Sequence, residues 1–289
     1  MNSDIIKSKI IESEMNQLIE ITGNYKKLIG FLDDYQKAYN SRNHKECKKV
    51  IEQIKIKYEF ILNAFEKISL DQKIVTKSFV DIKKFIDDEL NTLPELKEKF
   101  CENCATNMDR EFNEYQLKIT KGNIREGIHI KNFYLEFNID DPVIIIHYLD
   151  KVEKFQKIEG LNIKEVGRSI QDFYQMDEFT MTSLEKKMEK LHEICSTYRN
   201  KENQNIKLIP LLRKYLNISE NDKVPLFEKI KFSFAIYRIK DLNLKTSDGR
   251  SLEKIYSTGE WINKKDIKLN IPNSDTTDSD NCMEIEFRK

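Results

Sequence analysis

The sequence predicts a mainly α protein, and two features of its 289 residues lead to this fold class. Glycine and proline are scarce, with 8 and 5 copies, which favours long helices because both residue types are poor in helix interiors. Apolar residues also recur at alternating steps of three and four, the spacing that places them on one helix face. We therefore expect an N-terminal helical hairpin or bundle with coiled-coil-like seams, a helix-turn-helix-like middle domain and a small β-containing C-terminal part.

Four parts are predicted along the chain. Residues 1–120 form a helical bundle or coiled-coil region, residues 121–222 a mixed, mostly helical domain that resembles a helix-turn-helix, and residues 223–273 a small β-containing region. Residues 274–289 begin with the polar run SDTTDSDN, which has too little apolar surface to fold alone, so they are predicted to form a flexible tail.

Two heptad-like seams dominate the N-terminal part, and only Thr22 does not fit their apolar pattern. The first seam contains Ile11, Met15, Leu18, Thr22, Tyr25, Ile29 and Leu32, and the second contains Cys47, Ile51, Ile54, Tyr58, Ile61, Phe65 and Ile68. A third helix is predicted over residues 71–91, and Pro94 is predicted to begin a fourth. Packing inside one bundle and exposure to a partner have the same periodicity, so both interpretations of the seams stay open.

Shorter elements are predicted beyond residue 120. Residues 128–137 predict a strand, residues 143–158 a helix that follows acidic caps and a proline, and residues 161–174 a short amphipathic helix. Residues 232–239 and 252–256 predict strands near the C-terminal end.

The segment 161–214 is the candidate nucleic-acid-binding region, because it contains two short helices separated by a tight turn. Hydroxyl and ammonium groups on the second helix would meet phosphates or base edges. These groups belong to Thr180, Thr182, Ser183, Lys186, Lys187 and Lys190. Glu185, Glu189 and Glu193 lie on the same helix and would repel phosphates, so an ordinary three-helix core without nucleic acid is the alternative.

Three pairs of potential metal ligands are spaced so that both members lie on one helix face. The pairs are His44 with Cys47, Cys101 with Cys104, and His192 with Cys195. Two pairs that met in the fold would supply four ligands for zinc. Cys47 and Cys195 also lie on apolar seams, where a thiol serves as a small hydrophobic side chain. We therefore expect no cofactor, with zinc as the alternative.

The fragment Ser257-Thr258-Gly259-Glu260 follows a turn-like Asp-Gly-Arg. It resembles the Ser-x-Gly-Glu core of the signature loop in ATPases of the ABC and chromosome-maintenance kind. Such ATPases also need a P-loop of the form G-x-x-x-x-G-K-[ST], which the sequence lacks, so the chain is not a complete ATPase of that kind. A turn between strands is the alternative interpretation.

Catalytic motifs are otherwise missing from the sequence, which has no G-x-S-x-G, no H-E-x-x-H and only 4 histidines. His147 lies in an apolar run and is interpreted as a core histidine. The neighbours Asp33-Asp34 and Asp87-Asp88 point apart on helices, so they are predicted to face solvent. We therefore expect a protein that is not an enzyme, with an enzyme of unrecognised fold as an alternative.

Charge and cysteine use complete the prediction. Basic and acidic side chains balance at 49 each, so bulk charge does not attract nucleic acid and repels other copies little. No run of about 18 apolar residues predicts a membrane span, and no apolar segment near residue 1 predicts a signal peptide. Five cysteines without framework spacing indicate reduced thiols in the cytoplasm. The sequence thus predicts an accessory subunit of a larger intracellular assembly that binds a protein partner, or itself, through its seams, with a DNA-binding regulator as the alternative.

Overall fold

The computed structural model describes residues 3–67, 76–149, 153–199, 206–219, 222–256, 269–275 and 279–288. Across these ranges the protein is mainly α with a β part, which confirms the predicted class: seven α-helices accompany nine strands in two sheets. The chain divides into two compact units. Unit 1 comprises Met1–Thr106, Asn138–Val143 and Glu159–Asn162, and unit 2 comprises Asn107–Phe137, Ile144–Ile158 and Ile163–Lys289.

Unit 1 is built from long helices. Helix α1 spans Ser3–Asn40, α2 spans His44–Lys67, and α3 begins at Thr76 and ends at Asn113. Asn43 caps α2, because its Oδ1 accepts a hydrogen bond from the backbone N–H of Glu46 at 3.1 Å. Pro94 lies inside α3, so the prediction that it begins a new helix is wrong.

The core of unit 1 explains why α3 continues through Pro94, although a proline in a helix interior costs about 3 kcal/mol. Apolar residues on both sides of Pro94, Ile86 before it and Leu96 and Phe100 after it, are buried in the same core cluster and hold the helix together. The second predicted seam packs into this cluster. Its buried members are Cys47, Ile51, Ile54, Tyr58 and Ile61. Phe65 is half-buried, and Ile68 lies outside the described residues.

The turn between α1 and α2 packs against residues 159–162 of the same unit. The guanidinium of Arg42 donates hydrogen bonds to the Leu161 carbonyl and to Asn103 Oδ1, both at 3.2 Å. Gly160 has a φ of +75°, and a Cβ added there would lie 2.2 Å from the carbonyl oxygen of Ser41. Glycine is therefore required at this close approach of two backbone segments.

The first sheet has the strand order β1-β2-β3-β4-β5. The strands are β1 Lys121–Asn123, β2 Gly127–Ile130, β3 Phe133–Asn138, β4 Val143–Tyr148 and β5 Glu153–Glu159. The predicted helix over residues 143–158 is wrong, since this segment forms β4 and β5. Its apolar start is the β-branched run Val-Ile-Ile-Ile, which packs better on a pleated surface than in a helix.

Five further helical segments belong to unit 2. They are α4 Ile163–Tyr174, the 3₁₀ turn Asp177–Phe179, α5 Met181–Arg199, α6 Leu208–Tyr215 and α7 Leu226–Asp241. The predicted strand over residues 232–239 is wrong, because this segment lies in α7. Six successive residues from Phe232 to Tyr237 are buried, so α7 is enclosed on every side and lacks the one-sided pattern that identifies a helix in sequence.

The second sheet has the order β6-β9-β7, with β8 also paired to β9. Its strands are β6 Ile206–Lys207, β7 Ser251–Tyr256, β8 Leu269–Pro272 and β9 Ser279–Arg288. The segment predicted as a flexible tail therefore supplies the strand that pairs with all three others. Ile285 and Phe287 are buried at alternate positions of β9, which holds this strand against the rest of unit 2 despite the polar residues before it. Among the described helices, each is too short or too polar to cross a bilayer.

Candidate interaction surfaces

The first predicted seam lies on a solvent-exposed face of α1. Its side chains are 57% exposed at Met15, 42% at Leu18, 37% at Tyr25 and 47% at Ile29. Thr22 is also exposed, Leu32 is half-buried, and the side chain of Ile11 lies outside the described part. The α2 seam therefore fills the core, whereas the α1 seam faces solvent from Met15 to Ile29 and packs against the core at Leu32.

A different line of α1 residues enters the core of unit 1. Ile21, Leu28 and Tyr35 are buried and lie seven residues apart, so they share one side of the helix. Seam residues such as Thr22 and Ile29 are offset from this line by one position, which rotates them by about 100° around the helix axis. Helix α1 consequently has two apolar faces, and the described residues of unit 1 cover only one of them.

A groove on the exposed face surrounds a glycine. It has a volume of about 440 Å³, and its described lining residues are Met15, Leu18, Ile19, Thr22, Gly23 and Lys26. Ile19 is 66% exposed. A Cβ at Gly23 or Gly30 would meet no described atom within 4 Å. Glycine in a helix interior costs about 0.5–1 kcal/mol relative to alanine, so the packing of the described chain gives no reason for either glycine.

The predicted nucleic-acid-binding residues lie at and after the start of α5. Thr180 Oγ1 is 2.9 Å from the carbonyl oxygen of Asp177 and 3.0 Å from Ser183 Oγ, so both hydroxyl groups already have hydrogen-bond partners within the protein. Thr182 and Lys186 are exposed to solvent.

Lys187 is buried in an ion-pair network. Its Nζ lies 3.2 Å from Glu178 Oε2, and the other carboxylate oxygen of Glu178 lies 2.7 Å from Lys231 Nζ. Burial lowers the pKa of Lys187. Burial alone would raise the pKa of Glu178, but its hydrogen bonds and charge interactions with the two lysines outweigh burial and leave that pKa lowered. This network ties α5 to the 3₁₀ turn and to α7.

Lys190 is also held by a neighbouring helix. Its Nζ donates a hydrogen bond to the Tyr215 carbonyl at 3.0 Å and lies 4.2 Å from the centroid of the Tyr215 ring. The remaining exposed face of α5 borders a groove of about 630 Å³, whose described lining residues are Glu185, Lys186, Glu189, Lys190, His192 and Glu193. With three acids against two lysines, this surface is a poor match for phosphate groups.

The proposed metal-ligand pairs lie in different units, His44/Cys47 and Cys101/Cys104 in unit 1 and His192/Cys195 in unit 2. Within the ranges that the structure describes, no three His, Cys, Asp or Glu side chains are grouped to hold a metal ion. Burial, followed by the charge of Glu89, raises the pKa of Cys47 to about 12. Burial, followed by Lys97 and Lys45, lowers the pKa of His44.

The remaining cysteines of these pairs are buried or half-buried, and His192 and His147 have aromatic or acidic neighbours. Cys195 and Cys104 are buried, Cys101 is half-buried, and the His192 ring lies 5.0 Å from that of Phe287. His147 lies on β4, with Nε2 3.0 Å from Glu136 Oε2. The fragment from Ser257 to Glu260 lies outside the described residues.

The two glycines beside the α1 seam were not predicted to be part of a functional surface. Two of only 8 glycines, Gly23 and Gly30, lie seven residues apart in a predicted helix, and this spacing marks one side of the helix beside the seam. Ile19 and Lys26 follow the same spacing. No family model, curated protein or solved structure matches the chain.

Proposed function

We propose that this protein is a non-catalytic interaction subunit of a cytoplasmic assembly and that it binds a protein partner through the exposed face of α1. One observation carries the proposal: five large apolar side chains on one face of α1 are 37–66% exposed. They are Met15, Leu18, Ile19, Tyr25 and Ile29. Contiguous exposed apolar surface of this kind marks interaction sites, and spacing by three and four residues suits a partner helix.

The size of this face sets the expected strength of binding. Complete burial of a large apolar side chain contributes about 1.5–3 kcal/mol, so covering five that are half-exposed would contribute roughly 5 kcal/mol. Association costs at least about 4 kcal/mol in lost translational and rotational freedom. The apolar face alone therefore gives weak binding, and polar groups at its edge must add to it.

Replacing Leu18 and Ile19 by lysine tests the proposal, because two charges on this face would oppose a partner's apolar surface. The matched control replaces Ile56 and Phe60 of α2, which are 61% and 39% exposed, by lysine. Both variants should keep the wild-type helical circular dichroism, since all four side chains face solvent.

Two measurements follow on these variants: light scattering of the purified chain and quantitative mass spectrometry of partners captured from native lysate. We expect a partner, or self-association, with the wild type and the α2 control and its loss with the α1 variant. Capture and molar mass that are identical for the wild type and the α1 variant would contradict the proposal.

A DNA-binding accessory role is the second candidate. The exposure of Thr182 and Lys186 at the start of α5 favours it, and it treats α4, the 3₁₀ turn and α5 as a helix-turn-helix-like unit. It has less support, because Lys187 and Lys190 are already held by Glu178 and Tyr215. Binding to duplex DNA that weakens with salt, and a lower salt dependence on replacing Lys186 by alanine, would support it. Absence of salt-dependent binding by the wild type would exclude it.

A further inference from the structure

Lys26 gives the exposed face of α1 a charge that α1 itself does not balance. It lines the groove beside Gly23 and is exposed to solvent. On a helix, an ion-pair partner would lie three or four positions away. Those positions hold Thr22, Gly23, Ile29 and Gly30, none of which is acidic.

The groove also limits the shape of what binds there. From Met15 to Ile29 the face extends over 14 steps of α1, which is about 21 Å or four helical turns. Apolar side chains spaced by three and four pack best against the same spacing on another helix. No described atom lies within 4 Å of a Cβ added at Gly23 or Gly30, so a second backbone could approach closely there.

We propose that the partner on this face is an amphipathic α-helix that carries an acidic side chain beside its apolar stripe, placed to pair with Lys26. This inference rests on the proposed function of the α1 face and adds the chemistry of the partner. An ion pair between this acidic group and Lys26 adds to the binding free energy, which the apolar face alone leaves weak.

A second copy of α1 does not provide that acid when the two seams pair between Met15 and Leu32. If two α1 helices pair antiparallel so that Met15 meets Leu32 and Leu18 meets Ile29, Lys26 lies against Ile19 or Ile21 of the other copy. If they pair in parallel, the residue flanking Lys26 is again Ile21, which is buried in the core of its own unit. Neither of these two pairings places a carboxylate beside Lys26. An antiparallel shift by one heptad, in which Ile11 meets Ile29, would place Glu12 there, so the molar mass of the wild type is measured together with peptide binding.

Two synthetic peptides serve as probes for the partner. Both are three-heptad amphipathic helices with leucine at the seam positions, and they differ only in having glutamate or lysine at the flanking positions. Fluorescence anisotropy at low salt, at concentrations where the peptides are monomeric, measures their binding to the full chain. We expect the glutamate peptide to bind about tenfold more tightly, the scale of an exposed ion pair compared with a like-charge pair.

Charge reversal identifies the responsible lysine. Lys26→Glu should invert the preference so that the lysine peptide binds more tightly. Lys27→Glu is the matched control, because the next position points about 100° further around the helix and away from the seam. It should leave the preference unchanged.

The possible results separate this inference from the proposed function. If both peptides bind equally and the double variant Leu18→Lys with Ile19→Lys abolishes this binding, the acidic partner is overturned. The α1 face then remains a binding surface. Binding of neither peptide would also overturn the inference, and lysate capture with the same variant tests the proposed function independently. A wild-type dimer that this variant converts to monomer would overturn the inference by assigning the face to a second copy.

Discussion

Replacing Gly23 and Gly30 by alanine should make the protein more stable, which is unusual for a mutation at a glycine. Each substitution adds a Cβ where no described atom lies within 4 Å, and neither glycine has a positive φ that a side chain would strain. Alanine is favoured over glycine in a helix interior by about 0.5–1 kcal/mol. The two sites lie about 10 Å apart along α1, so their effects should add to about 1–2 kcal/mol.

Urea unfolding followed by circular dichroism measures this gain as a shift in the free energy of unfolding. The midpoint of thermal unfolding should rise by roughly 2–4 °C per kcal/mol. In the same variants, the glutamate-flanked peptide should bind less tightly, because the new methyl group at Gly23 fills part of the groove. A lower stability of Gly23→Ala would refute the reasoning, since it would mean that α1 needs this glycine for its own packing.

Three further predictions concern stability. Gly160→Ala should cost about 2–4 kcal/mol, because it combines backbone strain at φ +75° with a contact of 2.2 Å to the Ser41 carbonyl oxygen. Glu178→Gln should cost about 2–3 kcal/mol, more than the roughly 1 kcal/mol of Lys187→Met, because only the first leaves a buried ammonium without its carboxylate. Asp248→Asn should reduce the acid sensitivity of stability, because the pKa of Asp248 is lowered in the folded protein to about 2, from 3.8.

Each of these predictions has a control or a result that contradicts it. Gly249→Ala shares a positive φ of +84° with no described atom near its added Cβ, so it should cost only about 1 kcal/mol. Equal losses for the two glycine variants would disprove the role of the Ser41 contact. Urea unfolding would contradict the second prediction if Lys187→Met were more damaging than Glu178→Gln.

The contribution of Asp248 to the free energy of unfolding should decrease as the pH falls. The hydroxyl of Thr246, followed by Arg250, lowers the pKa of the folded Asp248 carboxyl, so its contribution is fully present above pH 3.8. That contribution is lost as the pH falls through about 2. Unfolding midpoints measured between pH 5 and about 2 should therefore fall less steeply for Asp248→Asn, and parallel profiles would contradict the assignment.

Predictions from local spacing succeeded where one face of an element is buried and failed where that one-sided pattern is absent. The α2 seam from Cys47 to Ile61 was predicted correctly because polar residues separate its apolar positions. Residues 232–239 were assigned the wrong element type, since burial on all sides of α7 removes the periodic signal. Residues 143–158 were also assigned the wrong type, because the β-branched run of β4 forms a strand and β5 is polar with only Ile158 buried. The strand β9 was missed because two of its partners, residues 206–207 and 251–256, are distant in sequence.

The exposed face of α1 and the start of α5 were also only partly predictable from the sequence. The sequence by itself determined that the chain is mainly α and that α1 and α2 each carry an apolar seam, because side-chain spacing along a helix is a local property. Only the tertiary structure decided that the α2 seam enters the core while the α1 seam faces solvent, and that Lys187 pairs with Glu178 inside unit 2. Burial depends on which distant segments pack against a face, and Ile21, Leu28 and Tyr35 compete for the core from another side of the same helix.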